Sequence, residues 1–204
     1  MDRGRQTSLR DLDQGMRYNT GIGTGHSSHR SSPSMSVDVL TLATRSGIDI
    51  DVRPVTEADE PEIAAFFDRV SDDDRRFRFL AAGDHVTHEQ LQPLVHTDHF
   101  RTESWLAFNK ASGRLVASGL LACDGPLDTC EVAISVCGDH RGKGIGWAML
   151  DFLAKQAEAR GCRRVISIES RDNHAAIDLE REKGFTPEPF DGDPTLVVLS
   201  KTFR

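Results

Sequence analysis

An α/β fold built on one central sheet is what this chain of 204 residues predicts, on three observations. Apolar strand-like segments alternate along the chain with segments of helical periodicity. A glycine-rich run, Asp139-His140-Arg141-Gly142-Lys143-Gly144-Ile145-Gly146, joins one such strand to one such helix. Residues 1–36, in contrast, carry only scattered apolar side chains among Ser, Gly, Arg, Asp and His. They bury too little to offset the entropy of ordering and read as a disordered tail. A linker over 37–47 and a single domain over 48–204 follow.

In order along the domain, Ile48 to Arg53 alternates apolar and polar side chains as a half-buried strand does, and Arg53-Pro54 ends it. Thr56 or Asp59 caps the next helix, Pro61 fits its first turn, and Ile63, Phe66, Phe67 and Val70 recur at i, i+3, i+4 and i+7. Ser71 and three aspartates open a short helix toward Leu80, acidic where the helix dipole favours it. Thr87 to Val95 forms another. Ser104–Asn109 and Leu115–Cys123, joined around Ser112-Gly113, read as an antiparallel hairpin. Thr129–Val136 is a strand leading into the glycine run. Ile145, Met149, Phe152 and Leu153 mark an amphipathic helix ended by Arg160-Gly161. Val165–Ile168 is a strand, Asn173 caps a helix ending at Gly184, and Thr195–Leu199 is the last strand.

Composition narrows the functional classes. A net charge of −7 argues against a nucleic-acid surface and suits a cationic substrate. No apolar run reaches the length of a membrane helix and no secretory leader opens the chain, so a cytoplasmic location is expected. Cys123, Cys130, Cys137 and Cys162 lack Cys-x-x-Cys spacing and read as buried thiols. His85, His88, His96 and His99 form two His-x-x-His pairs, but no cysteine or carboxylate framework accompanies them, and no metal is expected.

The glycine run reads as a phosphate cradle, because glycines let the backbone approach an anion and the following helix offers unpaired N–H groups. It is not a P-loop: Cys137 stands at the first glycine position and Gly144 at the hydroxyl position. Nor is it a dinucleotide fingerprint, since Trp147 and Met149 occupy the third-glycine position in its two possible registers. Arg141, Gly144 and Gly146 instead fill the pattern Arg/Gln-x-x-Gly-x-Gly/Ala.

With that loop, the strand before it, and the segment from Asn173-His174-Ala175-Ala176 to Lys183-Gly184-Phe185, the chain from about Ile48 onward resembles the GNAT superfamily of acyl-CoA-dependent N-acetyltransferases. The resemblance implies a mixed, largely antiparallel central sheet flanked by helices, with acetyl-CoA as co-substrate. It implies that Arg141, Gly142, Lys143, Gly144, Ile145, Gly146 and Trp147 hold the diphosphate, that Val136 meets the pantetheine arm, and that Asn173 contacts the coenzyme as well as capping its helix. Glu131, a carboxylate in an apolar strand, is costly to desolvate unless it faces a cleft or a partner, and it matches the family's fourth-strand general base. At one place the chain departs from the family. Where many relatives carry a tyrosine as proton donor, seven residues after the motif asparagine, this chain has Glu180.

Arg53-Pro54, followed by Ser71 through Arg75, Arg76, Phe77, Arg78 and Phe79, resembles the opening of the domain in bacterial protein lysine acetyltransferases, which modify acyl-CoA synthetases. The resemblance implies transfer of acetyl to a protein lysine by direct attack in a ternary complex. A small-amine acceptor and a non-catalytic acyl-CoA-sensing module are the alternatives, and the oligomeric state stays open.

Overall fold

The computed structural model describes residues 38–79 and 85–203. The expected disordered tail, residues 1–36, lies outside the described residues. Strands β1 (Leu40–Ala43), β2 (Asp49–Pro54), β3 (Thr102–Asn109), β4 (Leu115–Cys123), β5 (Thr129–Val136), β6 (Arg164–Ser170), β7 (Thr186–Pro189) and β8 (Leu196–Thr202) form one sheet in the order β1-β2-β3-β4-β5-β6-β8-β7. Helices α1 (Glu60–Phe67), α2 (Asp72–Phe79), α3 (His88–Val95), α4 (Ile145–Ala159) and α5 (His174–Glu182) flank it.

Every pairing in the sheet is antiparallel except β5–β6. That parallel pair requires a crossover, which the glycine loop and α4 supply. The two strands are paired only from Thr129–Glu131 against Arg164–Ile166, although β5 runs on to Val136 and β6 to Ser170. Beyond Glu131 and Ile166 they part, leaving a fork at the carboxyl ends of the strands.

All nine residues of β4 are buried, as expected of a strand covered on both faces. On one face α4 lies so close that a Cβ at Gly119 would stand 2.9 Å from Met149 Cε. Phe66, Phe67, Leu106, Leu121, Met149 and Leu153 are fully buried in the main core. A smaller cluster, Ile166, Ile168, Leu196 and Val198, forms on β6 and β8 with Phe77 of α2 packed against it.

Two strands were not legible as such. β1 lies inside the stretch expected to be a linker, a four-residue edge strand whose side chains are mostly exposed. β7, Thr-Pro-Glu-Pro, carries two prolines, which confine it to the sheet edge and remove the usual strand signal. Val70, expected on α1, falls past its end at Phe67 but is still buried.

The Arg53-Pro54 segment has a structural role. Arg53 makes two hydrogen bonds to Asp59, at 2.7 and 2.8 Å, and Asp59 also accepts from the Thr56 backbone N–H and hydroxyl in a capping box. Burial pushes the Asp59 carboxyl up, but the bonds from Arg53 and Thr56 outweigh it and hold the group below its ordinary value. A carboxylate depressed in the folded state stabilises above its unfolded pKa of about 3.9, and that stabilisation is lost as pH falls through the folded value. Asp59→Asn is expected to cost about 1–3 kcal/mol near neutrality, from lost charge-assisted bonds. In urea denaturation the gap to the parent protein stays constant above about pH 5 and closes in stronger acid.

The cysteines are buried, as expected, but three of them are not separate thiols. Cys123, Cys130 and Cys162 bring their sulfurs together, with Cys130 close enough to bond either neighbour.

Candidate active site

The strand-to-helix connection is shaped by its own glycines. After a 3-10 turn at Gly138–His140, Gly142 and Gly144 adopt φ of 70° and 76°. Gly144 occupies the N-cap of α4, so the helix starts at Ile145, the first of the apolar residues that mark it in the sequence. A Cβ at Gly144 would stand 3.2 Å from the Arg45 backbone nitrogen; one at Gly142 would meet nothing within 4 Å. The first N–H groups of α4 have no carbonyl four residues back, and its positive dipole end faces the same place.

Basic side chains crowd this helix start. Arg141 forms an ion pair with Asp74 and lies 3.3 Å from Ser71 Oγ, which ties the loop to the N-terminal turn of α2. Lys143 donates to the Asp139 carbonyl at 2.7 Å, and Ser46 donates to the Lys143 carbonyl at 2.6 Å. The Trp147 ring is covered by Arg45, 4.2 Å from its centroid, and by Lys183, 2.9 Å away. Trp147 Nε1 is a buried donor without a hydrogen-bond partner among the described residues.

A groove of about 1490 Å³ runs from this cradle to the fork between β5 and β6. Glu131, Val136, Arg141, Gly142, Lys143, Gly144, Ile145, Gly146, Trp147 and Asn173 all line it, so every site residue expected from the sequence is brought to one cavity. Glu131, half-buried, sits at the last paired position of β5, where the strands part. Arg78 of α2 faces it: burial pushes the guanidinium down and the Glu131 charge pulls it back up.

Asn173 differs from expectation in one respect. It holds the N-cap position of α5, but its side chain does not cap; Nδ2 instead donates to Glu169 Oε2 at 2.9 Å. Glu169 and Glu180 line the groove beside it, and Ser167 Oγ donates to Glu180 Oε1 at 2.8 Å. Glu169 could have been singled out from sequence by the argument applied to Glu131, since it too follows an apolar strand segment.

The histidines and Cys137 separate from this chemistry. His85, His88, His96 and His99 go to four different carboxylates, Asp68, Glu60, Glu57 and Glu103, rather than converging. Burial and the neighbouring Asp139 push the Cys137 thiol up to about 11, which leaves it protonated and weakly nucleophilic at neutral pH. No described helix is long and apolar enough to cross a membrane.

Residues 57–185, which span β3 to β6, the glycine loop and α5, match the model of the Acetyltransferase (GNAT) family. The chain belongs to the GNAT acetyltransferases. An acetyltransferase of Pseudomonas aeruginosa is 28% identical over 157 residues, which are 74% of this chain and 83% of that protein. Among solved structures, the GNAT domain of Streptomyces lividans PAT superposes with a TM-score of 0.73 at 24% identity, covering 81% of this chain and 97% of that one. A cAMP-binding acyltransferase from Mycobacterium smegmatis superposes with a TM-score of 0.56 at 20% identity, covering 81% of this chain and 47% of that one. These two likenesses concern the fold.

As a GNAT enzyme, the chain is an acetyl-CoA-dependent acyltransferase. Its groove fits that co-substrate on its own terms. The left-handed glycines shape the backbone at the helix start, and three cationic side chains (Arg45, Arg141 and Lys143) line the groove there beside Trp147.

Proposed function

We propose that this GNAT enzyme moves the acetyl group of acetyl-CoA to a protein lysine by direct attack in a ternary complex, with Glu131 as general base. The observation that carries the reading is the position of Glu131 at the fork of β5 and β6, in the same groove as the glycine cradle. Bound acetyl-CoA supplies an activated acyl group. Backbone N–H groups from Gly142 to Trp147, with the Arg141 and Lys143 charges, grip its diphosphate. Val136 and Asn173 line the groove between the cradle and the fork and hold the pantetheine arm. A lysine of pKa about 10.4 arrives as ammonium, and Glu131, directly or through one water, draws off its proton.

Support for a protein acceptor comes from the chain's net negative charge and from the Arg-Phe segment of α2, whose Phe77, Arg78 and Phe79 line the groove, while the Arg-Pro segment lies away from it and shares only the resemblance. The resemblance of those segments makes an acyl-CoA synthetase the first acceptor to test. Purified enzyme is incubated with labelled acetyl-CoA, a panel of folded proteins that includes acyl-CoA synthetases, and a panel of polyamines, aminosugars and amino acids. Label on protein lysine is expected. Label confined to a small amine overturns the acceptor assignment, and coenzyme binding without transfer to any acceptor makes the chain an acyl-CoA sensor.

A further inference from the structure

Coenzyme A is anionic in two places. Its diphosphate joins the pantetheine arm to an adenosine whose 3′-phosphate carries about two negative charges near neutral pH. The glycine cradle accounts for the diphosphate only. A further cationic position in the groove comes from outside the residues matched by the family model, which begin at 57: Arg45 and Ser46, in the turn between β1 and β2, both line the groove.

The groove runs past the cradle to that turn. Ala175, Asp178, Leu179 and Glu182 line it at i, i+3, i+4 and i+7, so one face of α5 forms its wall. A Cβ at Gly146 would stand 3.8 Å from Leu179 as well as from Val136, which sets this wall directly beside the cradle. The N-terminal end of α5, at Asn173, lies toward the fork, and its C-terminal end meets Arg45, whose Nη1 is 2.7 Å from Glu182 Oε2. With the pantetheine arm directed to the fork, the adenosine leaves the diphosphate the other way, along α5 toward Arg45.

Of the cations around the helix start, Arg45 is the one held loosely. Arg141 is paired with Asp74, Lys143 folds back onto the Asp139 carbonyl, and Lys183, with a side chain 11% exposed, is paired with Asp151. The Arg45–Glu182 pair has both side chains more than half exposed, and such a pair is worth only about 0–1 kcal/mol. The turn that carries it is nevertheless fixed: Ser46 is bonded to the Lys143 carbonyl, and the guanidinium lies over the Trp147 ring. A guanidinium so presented can exchange one exposed carboxylate for a dianion with three acceptor oxygens at little cost.

We infer that Arg45 recognises the 3′-phosphate of the coenzyme, leaving Glu182 for that phosphate when acetyl-CoA binds, and so makes the enzyme select coenzyme A over its 3′-dephospho form. This rests on acetyl-CoA as co-substrate and is independent of the acceptor.

The test measures the affinities of acetyl-CoA and 3′-dephospho-acetyl-CoA by calorimetry, for the parent protein and for Arg45→Gln, Arg45→Lys and Glu182→Gln, each checked for folding by circular dichroism. The parent is expected to bind the phosphorylated form about 3- to 10-fold more tightly, a modest ratio because the site is exposed and the Glu182 pair is given up. Added salt narrows it. Arg45→Gln brings the two affinities together by weakening acetyl-CoA alone, and Arg45→Lys keeps part of the preference, since the charge remains and the planar fork is lost. Glu182→Gln widens the preference by about 2-fold, because the phosphate no longer competes with a carboxylate. A parent that binds both forms equally overturns the inference, as does an Arg45→Gln protein that keeps the preference or loses affinity for both forms alike; Arg45 is then a clasp on Trp147. A parent with no affinity for either form overturns the coenzyme groove together with this inference. No acceptor enters the measurement, so a failure of the lysine assignment is read separately.

Discussion

Glu131→Gln is expected to lower turnover by about 10²- to 10⁴-fold, the range a positioned general base supplies, with acetyl-CoA affinity unchanged. The substitution keeps the shape of the side chain at the fork of β5 and β6 and removes only its capacity to take a proton. Its neighbours Cys130 and Val132 are buried, so the strand does not move to fill a gap. Calorimetry separates binding from chemistry: intact affinity with collapsed turnover places Glu131 at the reacting atoms. If turnover stays near the parent value, Glu131 is a structural partner of Arg78 and the base lies elsewhere.

Gly144→Ala is expected to weaken acetyl-CoA binding by about 5- to 30-fold, because a side chain in the left-handed region costs roughly 1–2 kcal/mol and the loop must shift to relieve it. At φ 76° the new Cβ would press on the Arg45 backbone nitrogen at 3.2 Å, and backbone cannot swing away as a long side chain can. Gly142→Ala is the internal control. It carries similar backbone strain at φ 70° but meets no neighbour, so its effect is smaller. Unchanged coenzyme affinity in folded Gly144→Ala protein would remove the diphosphate from this loop. The two variants also divide the labour of the groove, since one loses chemistry with binding kept and the other loses binding first.

Much of the site was readable because it is local in sequence. Arg141 through Trp147 are contiguous, and the strand before them and the helix after them announce themselves by period, so the cradle needed no tertiary information. Glu131 stood out by chemistry, a carboxylate among apolar neighbours. Asn173 was placed correctly at the start of α5, but the partner its side chain chose, Glu169, lies on β6, and no spacing rule encodes that choice. The thiol cluster was missed for a similar reason. Cys123 and Cys130 face each other across β4 and β5, while Cys162 arrives from the far end of α4, so the three meet only once the sheet is assembled.

The edge strands show the other boundary. β1 and β7 are short, exposed and, in β7, interrupted by proline, so they are strands because β2 and β8 offer open edges to pair with. By itself the sequence determined the α/β alternation, the glycine cradle and the family to which the chain belongs, because period, turn chemistry and motif spacing act over a few residues. The tertiary structure alone decided that β5 and β6 part after Glu131, and that Glu169 and Glu180 share a buried corner beside that fork. Desolvation and charge coupling depend on what surrounds a group in space. For that reason the Glu180 carboxyl, pushed up to about 8 by burial and then by the charge of Glu169, owes its protonation to the fold rather than to its place in the chain.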